Sequence, residues 1–281
     1  MIIMIIYTNT YNKMNERYVP TTLMELNIKE KYDSGNYIVA IKCCLYYISK
    51  YPNRLIAYIY ISQMYLIQAK YNDCVDILLG AIKIFPEDHV LHMDLSKAYG
   101  KLGEMDNAIK YIKLTIDICP NSENAQYSYA LLLNELYSKA RKYSKELIFD
   151  YYTKTLIQYM KVLMINPENT YALCNIGSML AVVADDYMAM SEEETDEEVK
   201  KLYVIFGENY YMDALLKYKK SIKIDPNDYL AYFNIGIVNA SLGNYEIAIK
   251  YYSKSIKINP EYTFAQIQIK KIEDYLTALK I

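Results

Sequence analysis

The sequence predicts an all-α chain: an α-solenoid of about six helix-turn-helix pairs closed by a C-terminal helix. Four observations point there. All seven prolines, Pro20, Pro52, Pro86, Pro120, Pro167, Pro226 and Pro260, follow an amphipathic stretch of helical period, and three of the six gaps between neighbours are 34 residues. With each of the last six prolines taken as position 32 of a unit, position 20 holds Ala40, Cys74, Ala108, Thr155, Ala214 and Ala248. Position 8 holds Ile28, Ser62, Ser96, Ala130, Gly177 and Gly236, small in every copy but the first, as expected where two helix backbones come close. Finally, position 15 holds Gly35, Gly103 and Gly243, suited to the left-handed residue that ends a helix before a tight turn.

Each copy then reads as two antiparallel helices with a break near position 15 and a stop at 32. The first three copies, 21–54, 55–88 and 89–122, carry Tyr37, Tyr71 and Met105 at position 17 and Ile48, Ile82 and Ile116 at position 28. Tyr152, Tyr211 and Tyr245, with Leu163, Ile222 and Ile256, continue these two columns, which are expected in the core. The fourth and fifth copies, 123–169 and 170–228, are about 13 and 25 residues longer than the unit. Both keep their beginnings and endings, so the added length belongs at the turn, and the fifth pair should overhang its neighbours by roughly 15 Å. Within "SEEETDEE", 191–198, Ser191 with Glu194 and Thr195 with Glu198 match capping boxes and mark a helix restart. In the sixth copy, 229–262, Ile235, Val238 and Leu242 keep helical spacing before Gly243, and Ile247, Ala248, Tyr251, Tyr252, Ser255 and Ile256 keep it after. Residues 263–281 place Phe264, Ile267, Ile272, Tyr275, Leu276 and Leu279 toward one side, the pattern of a helix that caps an exposed solenoid end. Residues 1–20, opening "MIIMII", form an N-terminal segment that is either disordered or docked on the first helix pair.

Composition narrows the function classes. Lysine plus arginine (31) nearly balance aspartate plus glutamate (33), so no broad field attracts nucleic acid or an anionic membrane. Five cysteines, Cys43, Cys44, Cys74, Cys119 and Cys174, form no C-x-x-C pair and read as small buried residues of a reducing, cytoplasmic chain. The N-terminus lacks a basic n-region and a small-residue cleavage site, and no apolar run approaches the roughly 20 residues of a membrane span. His89 and His92, with Asp88 and Asp94 nearby, could share a helical face, but no third metal ligand accompanies them. No phosphate-cradling glycine loop, nucleophile elbow or Cys-His spacing is present, so neither an enzyme nor a cofactor is expected.

The repeated columns resemble the tetratricopeptide repeat. The likeness is greatest at Tyr232, Ile235, Gly236, Ala248, Tyr252, Ser255 and Pro260, extends through Tyr58, Tyr65, Tyr99, Gly177 and Tyr218, and covers about residues 21–262. Lys31, Asn239 and Thr155 depart from the family pattern, which weakens the register of the first and fourth copies. The resemblance implies a right-handed α-solenoid that acts as a non-enzymatic protein-protein interaction scaffold. It also implies a concave groove lined by first helices, here Ile56, Ile59, Tyr60, Gln63, Val90, Met93, Asp94, Lys97, Tyr127, Ser128, Tyr171, Asn175, Ser178, Phe233, Asn234 and Ile237. Aromatic and aliphatic bodies with few charges suit an extended peptide or a partner helix, and asparagine amides can hold its backbone. A structural or self-assembling subunit of a larger complex is the alternative. Recognition of a chaperone's C-terminal carboxylate is disfavoured: Glu25, Lys29, Tyr60, Val90 and Asp94 stand where that function calls for another set. The tips of the long copies carry opposite charge, Lys139, Arg141, Lys142 and Lys145 against Glu192, Glu193, Glu194, Asp196, Glu197 and Glu198. They either neutralise each other or form a second docking surface.

Overall fold

The computed structural model describes residues 22–278; the N-terminal segment 1–20 and Leu279 lie outside it. Among the described residues there are thirteen α-helices and no strand. They fall into two compact units that divide between Leu147 and Ile148, inside the fourth copy.

The first unit runs α1 Leu23–Asp33, α2 Tyr37–Lys50, α3 Leu55–Ile67, α4 Tyr71–Ala81, α5 His89–Leu102, α6 Met105–Ile118 and α7 Glu123–Tyr143, ending in a 3-10 turn at Lys145–Leu147. The second runs α8 Ile148–Ile165, α9 Thr170–Glu193, α10 Glu197–Ile224, α11 Tyr229–Ser241, α12 Tyr245–Ile258 and α13 Thr263–Ala278. Within each unit a helix packs mainly on its neighbours in sequence, and first helices of successive pairs also touch: α1 on α3, α3 on α5, α9 on α11. This is the connectivity of an all-α helical-repeat solenoid, in which no pair buries its apolar face alone.

Short polar side chains set the helix starts. Thr22 and Glu25 form a reciprocal capping box at α1, and Asp88, Ser122, Asn169, Asp196 and Asp228 each accept a backbone N–H of the first turn. The restart near 195 differs from the predicted boxes. Ser191 is still inside α9, where its hydroxyl donates to the Met188 carbonyl, and the cap of α10 is Asp196. A carboxylate outcompetes a hydroxyl there because it also meets the positive end of the helix dipole. Helix ends follow the predicted column: Gly35, Gly103 and Gly243 have φ of 73°, 81° and 75°. The second copy has Ala69 at the same point with φ of 56°, a left-handed alanine.

The small column works as a seam. Ser96 Oγ donates to the Ala108 carbonyl at 2.7 Å, and Cys74 Sγ reaches the Ser62 carbonyl, so positions 8 and 20 of one pair meet. In the later pairs glycine lets an aromatic ring in: a Cβ on Gly236 would lie 2.5 Å from Tyr252, and one on Gly177 2.7 Å from Tyr218. Tyr47, Tyr159, Tyr218 and Tyr252 are among the largest fully buried side chains. The position 17 and 28 columns, by contrast, are mostly half-buried; of these twelve residues only Met105 and Tyr211 are buried. The long copies carry their extra residues as helix. α9 and α10 have 24 and 28 residues, where α11 and α12 have 13 and 14.

Candidate functional site

The predicted lining behaves differently in the two units. In the first, Ile59, Tyr60, Gln63, Val90, Met93, Asp94 and Tyr127 are buried, and only Ile56, Lys97 and Ser128 keep partial exposure. The Tyr60 ring lies tilted against Tyr32 of α1, with centroids 5.2 Å apart, and burial, with Asp33 adding to it, pushes its hydroxyl up to about 12. The Asp94 carboxylate accepts from Ser62 Oγ and from Lys97 Nζ, each at 3.0 Å. Met93 packs with Ile112 and Ala125. These positions form part of the seam because α1, α3 and α5 lie side by side, so the residues that point inward also point at the next first helix. Glu25 is likewise committed, accepting from the Tyr47 hydroxyl at 2.8 Å while it caps α1.

In the second unit the corresponding face of α9 and α11 is open. Tyr171 and Ile237 are 39% and 37% exposed, and Asn175 and Asn234 are partly exposed between them in the lining. Ser178 is tied down, donating to the Cys174 carbonyl at 3.0 Å and bonding the Tyr218 hydroxyl at 3.1 Å. Phe233 is a buried floor, edge-on to Tyr262 at 5.0 Å and tilted against Tyr252 at 5.5 Å. Sequence reasoning missed the polar support behind this face. Ser221 Oγ donates to Asp228 at 2.8 Å and Cys174 Sγ lies 3.4 Å from both, with Asp228 also capping α11. An N-cap aspartate two residues past Pro226 was the available signal. Burial first, then the Asp228 charge, pushes the Cys174 thiol well above its ordinary range, and partial burial beside Asp228 and Asp225 raises the Tyr171 hydroxyl. A thiol held in its protonated form is a poor nucleophile.

His92 is occupied structurally: Nε2 donates to the Pro86 carbonyl at 2.7 Å and the ring stacks on Tyr111. Among the described residues no group of three potential metal ligands occurs, and no helix is long and apolar enough to cross a membrane.

Two segments, residues 90–122 and 229–262, match tetratricopeptide repeat family models. No curated protein matches the chain. Among solved structures, the C-terminal part of a TPR repeat-containing protein from Cytophaga hutchinsonii is similar at a TM-score of 0.63 and 14% identity, over 91% of this chain and 88% of that one. A thermophilic TPR protein of Thermus thermophilus is similar at 0.55 and 14% identity, over 76% and 96%. YrrB, described as a TPR protein with an unusual peptide-binding site, is similar at 0.52 and 15% identity, over 81% and 97%. At these identities the likeness carries the fold alone, an all-α helical repeat. With both repeat matches falling on the copies read from the proline and glycine columns, the chain is a tetratricopeptide repeat protein.

Proposed function

We propose that the chain is a non-enzymatic binding scaffold that takes an extended peptide or a single partner helix on the α9–α11 face of its second unit. One observation carries this reading: Tyr171, Asn175, Asn234 and Ile237 keep exposure where most of the equivalent first-unit residues are buried. An aromatic and an aliphatic side chain supply anchors, and two amides can each donate to and accept from a peptide backbone. The neighbouring Phe233 and Ser178 are held by the core and so keep the face in shape before a ligand arrives, which lowers the ordering cost of binding. The peptide-binding description of YrrB, a protein of similar fold, is consistent with this use.

The test is selection from a displayed random-peptide library on the full chain, followed by calorimetry of the enriched peptide. Tyr171→Ala/Ile237→Ala and Asn175→Ala/Asn234→Ala should each weaken binding at least about tenfold, the scale of losing one anchor or one set of backbone hydrogen bonds. Equal affinity for both variants, or no enriched peptide, would overturn the proposal. Tyr60 and Phe233 are unsuitable probes because both are buried and their loss would disturb the fold.

A further inference from the structure

We infer that the outer face of α10 is a homotypic interface through which two copies of this chain pair with α10 antiparallel to α10. One side of this helix is spent inside its own unit: Gly207, Tyr211, Ala214, Leu215, Tyr218 and Ser221 are buried. The opposite side carries a second apolar stripe. Leu202, Phe206, Met212 and Leu216 are 51%, 46%, 53% and 62% exposed, with Ile205 at 50% on its flank. At 100° per residue these side chains fall within about 120° of arc, and Asn209, also exposed, lies at the centre. Such a row on an otherwise two-sided helix needs a cover.

The order of residues along the stripe says what the cover is. Counting outward from Asn209, Phe206 and Met212 are three residues away on either side, Leu202 and Leu216 seven, and Glu198 and Lys220 eleven. A two-fold axis through Asn209 therefore sets apolar on apolar twice, amide on amide at the centre, and acid on base at both ends, with Ile205 facing the exposed Asp213 along each flank. Self-complementarity of this kind is what an isologous contact requires. A parallel pairing would instead stack Glu198 on Glu198 and Lys220 on Lys220. Both charged residues are exposed.

The platform is stiff. Phe206 is backed by Tyr187 of α9 at 5.5 Å, and Tyr187 stacks in turn on Tyr210 at 5.7 Å. At Gly207 a Cβ would meet Met188 Sδ at 2.9 Å, so α9 and α10 approach closely just behind the stripe. From Glu198 to Lys220 the helix spans about 33 Å; at a width of about 12 Å each copy buries on the order of 400 Å², an area that belongs to weak, reversible association.

Sedimentation equilibrium of the full chain tests this from about 1 μM to several hundred μM, in low and high salt, against a monomer mass of 32.9 kDa. The mass should double with rising concentration, and high salt should weaken the association. Glu198→Lys and Lys220→Glu should each weaken self-association at least tenfold, while an equimolar mixture of the two restores it, since each then offers the other an opposite charge at both ends. Leu216→Glu gives a second loss, at an outward position of the apolar stripe and independent of the Glu198–Lys220 pairs, and circular dichroism confirms that each variant keeps its helix. A wild-type chain that stays monomeric throughout overturns the inference, because the stripe would then belong to a different partner. A dimer indifferent to all three substitutions, or a mixture that fails to recover, overturns the antiparallel contact.

Discussion

Ala69 and Gly103 occupy the same place in neighbouring copies, both left-handed, with φ of 56° and 81°, and they make a controlled pair for exchanging side chains. For an L-residue the left-handed region costs about 1–2 kcal/mol, because Cβ crowds the following carbonyl. Replacing alanine by glycine removes that cost but adds freedom to the unfolded chain, worth about 0.4–1 kcal/mol the other way. The net for Ala69→Gly is a gain of about 1 kcal/mol, and for Gly103→Ala a loss of similar size. Packing does not confuse the comparison: Ala69 is exposed, and nothing lies within 4 Å of a Cβ built on Gly103. Urea unfolding followed by far-ultraviolet circular dichroism resolves this, since 1 kcal/mol moves the midpoint by about 0.3–1 M. The two sites lie in separate turns, so the double variant should return close to the parent midpoint. If Ala69→Gly lowers the midpoint, or Gly103→Ala leaves it unmoved, backbone conformation does not control these turns and the reasoning fails.

Two further outcomes follow from the seams. Gly236→Ala pushes a methyl to 2.5 Å from the Tyr252 ring; overpacking of about 1–3 kcal/mol, against about 1 kcal/mol of helix propensity gained, should leave a net loss. Gly80→Ala, helical with nothing within 4 Å of the new Cβ, should instead stabilise, and equal effects at the two sites in a urea titration would refute the close approach. Burial pushes the hydroxyls of Tyr60, Tyr211 and Tyr252 up to about 12 from the ordinary 10.0. Below about pH 10 folded and unfolded chains both keep these protons and the contribution is complete. Between about pH 10 and 12 the unfolded chain releases them first, binds fewer protons, and stability falls as pH rises. The urea midpoint should therefore begin to fall above about pH 8.5, where thiols pushed up by burial, such as Cys174, keep protons that the unfolded chain loses, and fall further above about pH 10; a midpoint at about pH 11 equal to that at 8 would contradict the burial of these groups.

Much of the fold was legible because the repeat writes its own boundaries. Gly103 and Gly243 marked turns through a backbone conformation that few other residues adopt, and Ala108 and Ala248 marked seams through size alone. Ala69 escaped that reading, since alanine gives no turn signal by itself; only its place in the column discloses it. The lining was less legible for a physical reason. Tyr60 and Tyr171 are both tyrosines on first helices, yet one is buried against Tyr32 and the other is 39% exposed, and composition does not distinguish a buried ring from a partly exposed one. Ser191 shows the same limit for caps: the motif was present, but Asp196 five residues on was the stronger acceptor. On α10 the periodicity supplied two apolar faces at once, and nothing in a single sequence says which of them turns inward.

The lengths of α9 and α10 have an architectural meaning. Relative to α11 and α12 they are longer by 11 and 14 residues, close to three and four full turns. Growth in whole turns returns the connecting loop to the same azimuth, so it still bridges the two helices and the base of the pair does not notice the change. A solenoid can thus acquire a spur without renegotiating its stacking, and lose it by the same increments. Chains of this kind could vary what they display at their tips while the repeating framework beneath stays fixed.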